Sequence, residues 1–121
     1  RALKRIARIA DGWMAMTAPG DPPIQEVLPR FKDLLEENGK DPATFPMQMS
    51  LSPGAIDKDK RKRFYNDMDL LVARVCELRD LGFSDTSIDC VPLFQLGFRS
   101  SDALLEQLAK IHEALAPELS D

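Results

Sequence analysis

Hydrophobic and polar positions change period several times along the chain, and each change marks the edge of an element. Ala2, Leu3, Ile6, Ala7 and Ala10 recur at helical spacing. The period breaks at Asp11-Gly12, a turn pair in which Gly accepts a positive φ and Asp bonds its own backbone. Trp13 to Met16 is apolar without interruption, which predicts a strand covered on both faces. Thr17 to Pro23 is loop by composition. Ile24, Val27, Leu28, Phe31, Leu34 and Leu35 then form the stripe of one helical face. Pro29 sits inside that stripe, either as the first-turn residue of a shorter helix or as a kink. Asn38-Gly39 predicts a left-handed stop, and Lys40-Asp41-Pro42 a turn.

From Phe45 the period becomes two. Phe45, Met47, Met49 and Leu51 face one way, and Pro46, Gln48 and Ser50 the other. Ser52-Pro53-Gly54 is the following loop. Asp57 is read as the cap of one long helix through Leu81, with Phe64, Met68, Leu71, Val72, Val75, Leu78 and Leu81 on its buried side and Gly82 closing it. Ser87 to Leu93 is the third predicted strand, and Phe94 to Arg99 a loop. Ser101 caps a last helix carrying Leu104, Leu105, Leu108, Ile111, His112 and Leu115, which Pro117 ends.

The predicted order is α-β-α-β-α-β-α. Strands alternating with helices of this length form parallel sheets through crossover connections, so the fold class is α/β with three βα units. Three strands are few for such a sheet, which calls for covered faces and protected edges. The missing strands are expected either from a longer chain or from a second copy, giving a homo-oligomer. Arg1 already lies inside a helical pattern, which reads as a piece cut from something longer on its N-terminal side.

Composition narrows the function classes. With 44% hydrophobic and 30% charged residues among 121, the chain has the balance of a folded domain rather than a disordered one. A net charge of −4 argues against a nucleic-acid or anionic-membrane partner. No apolar run approaches the roughly 20 residues of a membrane span, and no cleavage pattern marks the N-terminus. The 2 cysteines, Cys76 in a helix and Cys90 in a strand, lack CxxC spacing. They read as buried structural thiols of a reducing compartment, so a cytoplasmic location is expected. His112 is the only histidine and has no His, Cys or acidic partner at ligand spacing, so no metal site is expected. Glu36-Glu37 and Asp67/Asp69 are expected on exposed helix positions, and the methionine pairs Met14/Met16 and Met47/Met49 as adaptable packing.

One stretch carries a family resemblance. Ala2 to Met14, with Asp11-Gly12-Trp13 at its end, resembles the "Ala-Ala-Arg-x-x-Asp-Gly-Trp" segment of bacterial luciferase-like flavin oxidoreductases. Gly39-Lys40-Asp41-Pro42 is similar to that family's "Gly-Arg-Asp-Pro" turn, and Leu81-Gly82-Phe83, a strand and a terminal helix resemble its last βα unit. The resemblance implies the C-terminal part of a (β/α)8 TIM-type barrel. It implies a parent that binds FMN or a deazaflavin at the C-terminal rim of its strands. There hydride passes between flavin and a small organic substrate, or reduced flavin activates oxygen as in a monooxygenase. The family's phosphate site, a strand ending in Gly-Gly, would precede Arg1. The isolated chain is therefore expected to bind no flavin and to be inactive.

On this reading Asp11-Gly12-Trp13 starts a strand and serves stability. Thr17, Ser50 and Ser52 follow strand ends and are the residues expected to touch the cofactor, with Phe94 and Gln95 on the same rim. Lys58 to Arg63 opens the long helix there as a cationic cluster, read first as a solvated face. The alternative is a non-catalytic α/β interaction module that self-associates through open sheet edges.

Overall fold

Three short parallel strands lie side by side in chain order in the computed structural model, which describes residues 1–16, 20–53 and 58–119. They are β1 (Trp13–Ala15), β2 (Met47–Ser50) and β3 (Asp85–Ser87). Trp13, Met14 and Ala15 of β1 pair with Met47, Gln48 and Met49 of β2. Helices α1 (Ala2–Ile9), α2 (Ile24–Glu37), α3 (Lys58–Arg63), α4 (Met68–Leu81), α5 (Cys90–Gln95) and α6 (Ser101–Leu115) make up most of the rest. The α/β expectation with parallel strands therefore holds. The chain divides into two compact units, Arg1–Ser50 with Arg79–Thr86 and Leu51–Leu78 with Ser87–Asp121.

In the first unit, α2 lays Ile24, Leu28, Phe31, Leu34 and Leu35 inward, as its stripe predicts. Phe31 is the aromatic centre, with its ring 4.5 Å from that of Trp13 and 5.8 Å from that of Phe45. Pro29 falls in the helix interior on its exposed side, so it is not a first-turn residue. Asn38-Gly39 stops the helix as expected: Gly39 has φ +71°, and the Lys40 N–H donates to the Leu35 carbonyl at 2.9 Å. The alternation of Phe45 to Leu51 also holds, with Phe45, Met47, Met49 and Leu51 all buried.

Two expectations for the helix-to-strand passage are corrected. Gly12 does not take a positive φ. It is favoured by close approach instead: a Cβ there would lie a tight 3.2 Å from the Pro46 carbonyl oxygen, which accepts the Trp13 N–H at 2.9 Å. Nor is β1 covered on both faces. Trp13 and Ala15 turn toward the helices, whereas Met14 is 76% and Met16 85% exposed. An unbroken apolar run of four cannot by itself distinguish a two-sided from a one-sided strand.

In the second unit the single long helix is broken. The chain leaves α3 through a 3-10 turn at Phe64–Asn66 and restarts at α4. Asp67, expected on an exposed helix position, is the restart signal, because its carboxylate accepts the Leu70 N–H at 3.2 Å. The apolar stripe runs straight across this break, since Phe64 and Tyr65 stay buried in the turn. Asp57 lies outside the described residues.

The third strand is also displaced. It occupies Asp85–Ser87, three polar and exposed residues, and the stretch expected as strand holds α5. Asp89 caps that helix by accepting the Val91 N–H at 2.9 Å, and Pro92 sits in its first turn, where a missing N–H costs nothing. Phe94 and Gln95 are therefore helical rather than loop. The last helix is capped by Ser100, one residue earlier than expected, through the Ala103 N–H at 3.1 Å.

Candidate functional site

In α/β folds, chemistry gathers where parallel strands end. In the second unit the chain just beyond β2 meets the end of β3, where the Leu51 N–H donates to the Ser87 carbonyl at 2.7 Å. Side chains from distant positions then fix the next two carbonyls. The Tyr65 hydroxyl donates to the Leu51 carbonyl, and Arg74 Nε donates to the Ser52 carbonyl at 3.1 Å. Arg74 is 7% exposed and Nη1 also reaches Glu77 at 2.6 Å. Gln107, buried on α6, donates from Nε2 to the Tyr65 carbonyl at 3.0 Å and so holds the turn that carries the ring.

Burial raises the Tyr65 pKa above its ordinary value, and the Asp89 carboxylate and Cys90 add to the rise, while the Asp89 backbone N–H offsets part of it. The phenol is thus held as a neutral donor. The arrangement is a clamp on the backbone at Leu51 and at the half-buried Ser52. The Tyr65 hydroxyl, Arg74 Nε and Gln107 Nε2 are spent on backbone carbonyls and Arg74 Nη1 on Glu77, so the clamp positions rather than reacts.

Sequence reasoning did not single out Tyr65, Arg74 or Gln107. The signal was present for two of them. Arg74 stands with Leu71, Val75 and Leu78 in an i, i+3, i+4, i+7 row, and Gln107 occupies the same row as Leu104, Leu108 and Ile111. A polar residue in an apolar row marks a buried hydrogen bond. Tyr65 has no such local mark.

Ser50, half-buried, ends β2 in the first unit, and Ser52 belongs to the second. Thr17 lies outside the described residues. Phe94 and Gln95 are exposed on α5, with the Arg99 guanidinium 5.4 Å from the Phe94 ring centre. On α3, Lys60 to Arg63 are exposed, and Arg63 lies 3.6 Å from Asp67. Cys90, expected buried in a strand, is exposed as the first residue of α5, and Cys76 is half-buried with its thiol 3.3 Å from Glu118. His112 is exposed on α6.

Among the described residues no three His, Cys, Asp or Glu side chains group as metal ligands, and no helix is long and apolar enough to cross a membrane. No protein-family model, curated protein or solved structure matches this chain.

Proposed function

We propose that this chain supplies closing βα units of a luciferase-like (β/α)8 barrel whose intact form is an FMN- or deazaflavin-dependent oxidoreductase. The observation that carries this reading is the one-sided exposure of β1. Neighbouring parallel strands follow chain order, Trp13, Ala15, Met47 and Met49 turn toward helices, and Met14 and Met16 on the other side are bare. A doubly wound sheet carries helices on both faces, whereas a barrel wall carries them outside only and fills its inner face with residues from the other strands. The Asp11-Gly12-Trp13 and Gly39-Lys40-Asp41-Pro42 segments add the family resemblance.

In this reading the strand ends carry Ser50 and Ser52 to the flavin rim, and the Tyr65–Arg74 clamp fixes the path on which Ser52 stands. Flavin supplies the redox chemistry when bound, and these residues orient it. Titration of the 121-residue chain with FMN and with a deazaflavin, followed by Trp13 fluorescence, is expected to show no stoichiometric binding. Tight one-to-one binding contradicts the assignment of the phosphate site to strands outside this chain.

The exposed residues of β3 also favour a second reading, in which two copies pair through open sheet edges as a non-catalytic module. Sedimentation over a wide concentration range tests this second reading. Self-association to a defined dimer supports the module, and a monomer at high concentration rejects it.

A further inference from the structure

The helix α1 bears all of its charge on one side. Arg1, Lys4, Arg5 and Arg8 follow i, i+3, i+4, i+7 spacing, all exposed, and α1 contains no acidic residue. Like charges at these spacings repel, by a few tenths of a kcal/mol per pair. Elsewhere Arg30, Arg63, Arg74, Arg79 and Lys110 stand within ion-pair distance of a carboxylate. Among the described residues the cations of α1 have no such partner.

These four side chains form one wall of a groove of about 430 Å³, with Leu34, Glu37 and Asn38 of the end of α2 opposite. Capping of α2 does not account for them. The Asn38 side-chain amide serves the Leu34 carbonyl, the Asn38 and Lys40 N–H groups the Leu35 carbonyl, and the Gly39 N–H the Glu36 carbonyl. Glu37, the acidic residue in the groove, is held by Arg30 at 3.1 Å. Among the described residues lining this open space, the sole carboxylate is thus Glu37, already paired with Arg30.

We propose that this groove binds a small anion carrying two or more phosphoryl charges, such as a diphosphate group. An α-helix rises about 1.5 Å per residue, so the four cations span roughly 10 Å, which suits a short oligoanion. A long polyanion would meet a chain of net charge −4 on leaving the groove. The site belongs to the first unit, on α1 and the end of α2, and it does not depend on the flavin reading.

The test is isothermal titration of the 121-residue chain with inorganic pyrophosphate, with orthophosphate and a short oligonucleotide as parallel arms. Pyrophosphate is expected to bind one-to-one, at least tenfold more tightly than orthophosphate, and to weaken as salt is added. The double substitution Arg5→Gln with Arg8→Gln should abolish binding, while Arg61→Gln with Lys62→Gln on α3 should leave it unchanged. Thermal melting guards against misfolding: removing mutually repelling cations should leave the first unit as stable as before or more so. Absence of pyrophosphate binding, equal binding by the α1 variant, or tighter binding of the oligonucleotide overturns the proposal.

Discussion

Replacement of Phe31 by alanine is expected to destabilise the first unit by about 3–5 kcal/mol. The ring is fully buried and stands at the meeting point of α2, β1 and the entry to β2. Its neighbours are Trp13 at 4.5 Å and Phe45 at 5.8 Å, so truncation removes both aromatic contacts and leaves a cavity that large rings cannot collapse to fill. The protein has 1 tryptophan, so urea unfolding followed by Trp13 fluorescence reports this unit directly. A loss below about 1 kcal/mol would mean that Phe31 is not the centre of this core.

Replacement of Tyr65 by phenylalanine is expected to cost about 1–3 kcal/mol, because the buried Leu51 carbonyl loses the hydroxyl that it accepts. The pH dependence identifies the cause. Since the folded-state pKa is raised, the contribution of the phenol is complete below about pH 10, where folded and unfolded chains are both protonated. Above that the unfolded chain ionises first, and stability falls as pH climbs through the folded-state pKa. The Phe variant loses this added alkaline slope, which comparison of denaturation midpoints between neutral and alkaline pH measures. An unchanged slope would place the Tyr65 hydroxyl in water.

Much of the scaffold is legible in the sequence because single-face periodicity dictates it. The stripe of α2, the left-handed stop at Gly39 and the alternation through β2 each follow from local chemistry. The errors have equally local causes. Tertiary packing buries Phe64 and Tyr65 in a 3-10 turn, so the apolar row conceals a break that Asp67 marks. β3 is short, polar and exposed, held by main-chain pairing that leaves no side-chain pattern to read. The Asp89-x-Val91-Pro92 start of α5 was visible as a cap followed by a first-turn proline, but the apolar Cys90, Val91 and Leu93 read equally well as strand. The clamp at Leu51 and Ser52 joins residues 14 and 22 positions apart, a separation at which sequence spacing carries no geometry. The cationic row of α1 is legible in the same stretch that carries the family resemblance, but the groove it lines beside α2 is a tertiary feature with no mark in the sequence.

The exposed side of β1 is what ties the fold to the proposed oxidoreductase, and what covers that side decides the proposal. The most direct measurement is the flavin content of the full product of the reading frame that encodes these 121 residues, read by visible absorbance after reconstitution with FMN and with a deazaflavin. One flavin per chain in the full product, with none retained by the 121-residue chain alone, is the result expected of a barrel closed by these strands. A full product that takes up no flavin would contradict the account.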